Sequence, residues 1–200
     1  MVIMASSMRF AELHLHLEGT LDEITLREIA PQYSEDEINR SYQFTDFAGF
    51  LDSFKFAAMQ LRDADQYRLL ARRCFARLAD QGIVYAELIH SVGICLWRGL
   101  DARSIAEALV DEGQRAPLKV KWVFDAVRQL GAAHILETAR FTSQFRGADV
   151  VAFGKQNHIA RDELLGHDLL LLPISDDMRI GGQKLLECFS CLFGLEFLPE

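Results

Sequence analysis

The chain has 200 residues, 50% of them hydrophobic and 25% charged, with 21 Lys and Arg against 29 Asp and Glu for a formal net charge of −8. This is the composition of one ordinary globular domain, and an acidic balance without a clustered basic face excludes a nucleic-acid backbone or an anionic membrane as the main partner. No apolar run approaches the roughly 20 residues that cross a bilayer, and residues 1–8 lack the basic start and apolar middle of a signal peptide, so a cytoplasmic protein acting on a small molecule is expected.

In chain order, 9–17 is short and alternating, the pattern of a strand, and Thr20 with Glu23 reads as a capping box opening a helix that runs to Ile29. Apolar residues recur at helical spacing over 47–61 (Phe50, Leu51, Phe54, Ala58) and 64–79 (Leu69, Leu70, Cys74, Leu78), and Gly82 closes the second run. Residues 83–89 are apolar and β-branched enough for a buried strand, and a loop through Arg98 and Gly99 leads to a helix over 104–112. The pattern repeats with a strand over 120–127, a helix over 134–144 and a strand over 149–153. This alternation predicts an α/β fold, a parallel sheet with covering helices that is either open or closed into a barrel. After Gly154 the register changes: 155–158 is polar, 167–173 is a compact apolar run, and Ser175-Asp-Asp177 precedes a helix-like stretch over 183–193.

The cysteines at 74, 95, 188 and 191 are too few and too scattered for a secreted disulfide framework, so reduced thiols are expected. Cys188 and Cys191 have the spacing of a redox or half-zinc motif. They recur among Leu185, Phe189 and Leu192 as a buried helix face does, with no second pair to complete a metal site.

The chemistry concentrates in Glu12-Leu-His-Leu-His-Leu-Glu-Gly-Thr20. Residues two apart in a strand share a face, so His14 and His16 project together while Leu13, Leu15 and Leu17 point the other way. In a βα barrel the leucines would meet the outer helices and the imidazoles the barrel mouth, where neutral ring nitrogens bind Zn²⁺ at about 2.0–2.1 Å. A bare His-x-His on a half-exposed strand merely faces solvent; here the pair lies on the first strand of a βα series and is followed at once by Leu17-Glu-Gly-Thr20.

Ala11-Glu-Leu-His-Leu-His-Leu-Glu-Gly-Thr20 resembles the opening motif of adenosine deaminases and related metal-dependent amidohydrolases. In the family's order, Val84-Tyr-Ala-Glu-Leu88 with Ser91 resembles its second-strand motif, Lys121-Trp-Val-Phe-Asp-Ala-Val-Arg128 its third-strand region and Ala148-Asp-Val-Val-Ala-Phe-Gly154 its fourth. Ser175-Asp-Asp177, Gly181-Gly182 and Leu185-Leu-Glu187 resemble the segment after its last strand. The resemblance implies one zinc ion held by His14, His16 and Asp176, with Glu18, Gly19 and Asp177 contacting a purine substrate. Read without it, Asp176 and Asp177 are equally a solvated turn, and Glu18 and Gly19 a loop acid and a turn glycine.

The pattern also departs from the family. An eight-stranded barrel takes about 250 residues, so a partial TIM-type (β/α) barrel is expected, one adenosine deaminase-like domain in which 1–154 matches the family's N-terminal half, 155–174 diverges and 175–200 resembles its Asp-Asp segment. The His-Ala-Gly-Glu run that would provide a third metal histidine and the acid has no counterpart, and the later catalytic histidine survives at most as His158 or His167. The expected function is zinc-assisted hydrolytic deamination of adenosine, adenine or a related purine nucleoside, impaired in this chain. The alternative is an inactive, internally deleted fragment that self-associates through uncovered sheet edges. Cysteine-type zinc deaminases need a His-x-Glu and a Pro-Cys-x-x-Cys; His16-Leu-Glu18 fits the first by spacing, but Cys188 follows Glu187 rather than a proline, which argues against that class.

Overall fold

Strand β1 (Phe10–His16) pairs in parallel with β2 (Ile83–His90), and the four strands of the sheet follow the order β1-β2-β3-β4, with β3 at Lys119–Val127 and β4 at Ala148–Phe153. The computed structural model describes residues 9–127 and 130–145 and the backbone of 148–153. Its helices are α1 (Glu23–Ile29), α2 (Glu35–Ser41), α3 (Phe47–Gln60), α4 (Ala64–Asp80), α5 (Val92–Trp97), α6 (Ala102–Arg115) and α7 (Ala132–Thr142). The described part separates into two compact units: one contains the described residues through His90 together with Leu100–Trp122, the other Ser91–Gly99 and the described residues from Val123 onward.

In the first unit, short polar side chains set where helices begin. Asp22, Asp46, Asp63 and Asp101 each accept a hydrogen bond from the backbone N–H three residues on, at Thr25, Gly49, Gln66 and Ser104, which satisfies one of the donors a helix start leaves open. The α1 cap therefore differs from the Thr20–Glu23 box that the sequence predicts. Thr20 instead donates its hydroxyl to the Leu17 carbonyl at 2.8 Å, closing a 3-10 turn over Leu17–Thr20, because the chain must turn sharply off β1 before a helix can start. The capping box in this region is at Ser34 and Glu37, opening α2, a helix absent from the sequence reading. Gly82, at φ 79°, ends α4 in the left-handed region that favours glycine, and its N–H reaches the Ala79 carbonyl at 2.9 Å.

The core of this unit lies under α4, whose buried Tyr67, Leu70, Ala71, Cys74, Phe75 and Leu78 recur three and four apart. Against it packs α6, with Ile105, Ala106, Ala108 and Leu109 buried. At the polar margin of this contact Glu112 is clamped by Arg72 in a two-pronged ion pair, Nε to Oε2 at 2.9 Å and Nη2 to Oε1 at 2.6 Å, while Arg68 approaches Oε1 at 3.3 Å. Gly113 has no room for a side chain, since an added Cβ would lie 2.6 Å from Trp122 Nε1.

The expectation that Leu13, Leu15 and Leu17 are all covered by helices does not hold. Leu17 is fully buried, but Leu13 is 63% exposed and Phe10 is also exposed. The strand is irregular between Glu12 and Leu15, where the register to β2 gains a residue and the His14 N–H turns to the Glu12 carboxylate at 3.1 Å. Such a bulge interrupts strict alternation and re-aims the side chains beyond it.

In the second unit, 92–97 forms the short α5 where the sequence reading has a loop. It packs with α7, and Gly93 permits this closeness: an added Cβ would stand 3.1 Å from the Asp125 carbonyl oxygen and 3.1 Å from His134 Nε2. Ser91 and Asp125 are buried here, 3.4 Å apart through Oγ and Oδ2. Among the described residues no helix is long and apolar enough to cross a membrane.

Candidate metal and purine site

The C-terminal end of β1 gathers four of the predicted residues, His14, His16, Glu18 and Gly19. Ile89 of β2 pairs with His16, so His16 and the two residues that follow it lie beside the end of β2. In parallel α/β sheets the carboxyl ends of strands form the chemical face, because the loops there converge while the strands hold their bases rigid.

His14 and His16 lie side by side, with ring centroids 5.2 Å apart and ring planes at 63°. Two imidazoles on one tetrahedral zinc, each at the usual metal–nitrogen distance, have ring centres about 5 Å apart, a separation close to that of this pair. Burial pulls the His16 pKa down to about 3, outweighing the raising effect of Glu18, and burial also lowers that of His14 against the pull of Glu12. Both rings are therefore neutral near pH 7, the form that ligates a metal. Among the described residues no set of three or more His, Cys, Asp or Glu side chains could hold a metal ion, so the pair alone is two ligands short of a tetrahedral set. Asp176 and Asp177, and His158 and His167, lie outside the described residues.

Glu18 is buried, 3% exposed, in the 3-10 turn. Its Oε1 lies 2.8 Å from Nδ1 of His90, the last residue of β2, which is wholly buried. With the carboxylate ionised, the Nδ1–H donates. Tyr67 of α4 presses edge-on against the His90 ring, centroids 5.0 Å apart. Gly19 stands over Phe54, whose ring would be 3.4 Å from an added Cβ. The structure thus brings His14, His16, Glu18 and Gly19 together at one strand end and adds His90. A signal for His90 does exist: it is a titratable residue at the carboxyl end of a mostly apolar strand.

These features define an α/β protein built as part of a (β/α) barrel, with its titratable groups at the carboxyl ends of parallel strands. Residues 10–168 match the model of the family described as adenosine deaminase, and the chain belongs to the adenosine deaminase family. It is 31% identical over 165 residues to an adenine deaminase of Mesorhizobium japonicum, covering 78% of this chain and 49% of that one. An amidohydrolase from Burkholderia ambifaria with bound Zn shares the fold at a TM-score of 0.64 and 17% identity, over 76% of this chain and 45% of that one. Arabidopsis ADAL complexed with IMP does so at 0.63 and 19%, over 74% and 50%. The chain spans about half the length of the relatives it matches.

Proposed function

We propose that this chain carries the zinc and purine site of an adenosine deaminase-like hydrolase. In this reading His14, His16 and Asp176 hold one zinc ion, and Glu18, Gly19 and Asp177 hold adenine, adenosine or a related purine nucleoside. The observation that carries it is the pair of adjacent, neutral imidazoles at the end of β1. A zinc ion held by these residues would supply Lewis acidity for hydrolytic removal of an amino group. The chain's own part is to present uncharged nitrogens to the metal, to fix a carboxylate beside them and to keep bulk water from the turn that follows β1, where Leu17 and Glu18 are buried.

Support comes from family membership, from the Zn in the Burkholderia ambifaria relative and from the IMP in the Arabidopsis one. Turnover by these 200 residues alone is slow in this reading, since the sequence has no His-Ala-Gly-Glu run and loss of a general acid costs roughly 10²–10⁴ in rate. His158 or His167 stands in for the later histidine. The site works in the cytoplasm, and the exposed Phe10, Leu13 and Val84 favour association of the chain with itself or a partner over an isolated monomer.

The test is zinc titration of the metal-stripped chain, with ammonia release from adenosine and adenine measured alongside. One zinc per chain is expected, weakened roughly 100-fold or more in His14→Ala and His16→Ala because each removes a ligand outright. Zinc binding that is equally tight in both variants overturns the assignment. Zinc binding without ammonia release selects the inactive-fragment reading.

A further inference from the structure

We propose that His90 is a positioning residue for the purine site: it holds Glu18 so that the carboxylate meets an N–H or O–H of the ligand in a fixed place. This inference rests on the purine-site reading above.

Glu18 and His90 are 72 residues apart in sequence and meet at 2.8 Å, both buried, just beyond the rung at which His16 pairs with Ile89. A carboxylate taken this far from water is costly unless a partner compensates it. His90 is that partner on the β2 side. Its ring is itself fixed by Tyr67, which is buried on α4 and packs edge-on at 74°. The backbone of Glu18 is restrained independently by the 3-10 turn, where the Thr20 hydroxyl donates to the Leu17 carbonyl and the Leu21 N–H to the Glu18 carbonyl. Main chain and side chain of Glu18 are thus held by separate devices.

The chemical consequence follows from this fixed geometry. An ionised carboxylate offers about four lone-pair directions, so the contact with Nδ1 does not by itself exhaust it. A group so held loses little rotamer freedom when a ligand arrives, which is how a supporting hydrogen bond turns into ligand affinity. The ligand class is a purine base or nucleoside that turns a donor toward Glu18.

The experiment measures adenine and adenosine binding to the full chain with zinc present, for the wild type and for His90→Asn, His90→Gln, His90→Phe, Glu18→Gln and the double variant E18Q/H90F. Asn places an N–H near the position of Nδ1, Gln carries it farther out and Phe removes it. Affinity is expected to fall roughly tenfold or more in H90F and H90Q and to be largely rescued in H90N, the range seen when a supporting hydrogen bond is removed from a binding group. E18Q/H90F is expected to bind no more weakly than E18Q, since His90 acts only through Glu18. Should H90F fail to fold, the contrast between H90N and H90Q decides on its own. A wild type that binds purine with H90Q and H90N indistinguishable from it overturns this inference alone. A wild type that binds neither adenine nor adenosine overturns the purine-site reading and this inference with it.

Discussion

Two carboxylates are buried in the first unit, and they are satisfied in opposite ways. Glu112 lies between α4 and α6 with Arg68, Arg72 and Arg115 around it, whereas Glu18 lies at the end of a strand with the His90 imidazole at 2.8 Å. The Arg72 guanidinium and its companions hold the Glu112 carboxyl below the ordinary carboxylate range, so Glu112 is a fixed charge among several cations. Guanidinium forks from neighbouring turns of α4 make a pin that tolerates loss of any one partner. A carboxylate held by an imidazole at the chemical end of a parallel sheet stands instead where we propose that a ligand is met. A cluster of guanidinium groups marks the structural acid, and an imidazole at a strand end accompanies the acid we propose for the purine site.

The largest expected effect breaks the comparison from the structural side. Glu112→Leu removes the anion from three arginines and should lower the unfolding free energy by about 2–3 kcal/mol, read by urea denaturation, while zinc affinity of the folded chain stays unchanged. An unaltered midpoint would show that Glu112 pins nothing.

Acidification separates the two regions next. Burial lowers the His16 pKa to about 3, below its ordinary value of 6.5, so the folded state resists the proton. Its contribution is complete above pH 6.5 and is lost as pH falls toward 3. Glu112, also lowered, contributes fully above its ordinary value of 4.5 and loses that contribution only as pH falls through its folded value. Stability should therefore begin to decline near pH 6.5 in the wild type. His16→Asn should remove that early portion and leave the later one, and Glu112→Gln the reverse. Superimposable pH–stability curves for the wild type and H16N would contradict the burial of a neutral imidazole.

The smallest effect sharpens the idea of redundancy. Arg115 is 61% exposed and its Nη1 is 3.8 Å from Glu112 Oε1. Arg115→Ala should cost no more than about 1 kcal/mol, the usual worth of an exposed ion pair, and thermal melting resolves it. A loss comparable to that of E112L would mean that the cluster acts as a single cooperative unit.

Much of the fold is legible in the residues themselves. The strands begin and end within a residue or two of the runs read as strands, the 47–61 and 64–79 patterns become α3 and α4, and Gly82 terminates α4 as its freedom at positive φ allows. The elements that were missed are short. Glu35–Ser41 and Val92–Trp97 have seven and six residues, too few for a hydrophobic period to declare itself, and each depends on a local cap or on packing with a neighbour. At the site, His14, His16, Glu18 and Gly19 are adjacent in sequence and so could be read together, whereas His90 could not be assigned to Glu18 because nothing local links residues 72 apart.

The sequence by itself determined the strand that carries two imidazoles, the order of the strands and the longer helices, the α/β class and the family, because these follow from periodicities of two and 3.6 residues and from contiguous motifs. Only the tertiary structure decided which polar side chains share a buried environment: Glu18 with His90, Glu112 with its arginines, and His16 neutral. It also decided that Leu13 stands in solvent while Leu17 is enclosed. Burial and pairing are properties of how distant segments are brought together, and the free energy of a charge depends on that neighbourhood far more than on its place along the chain.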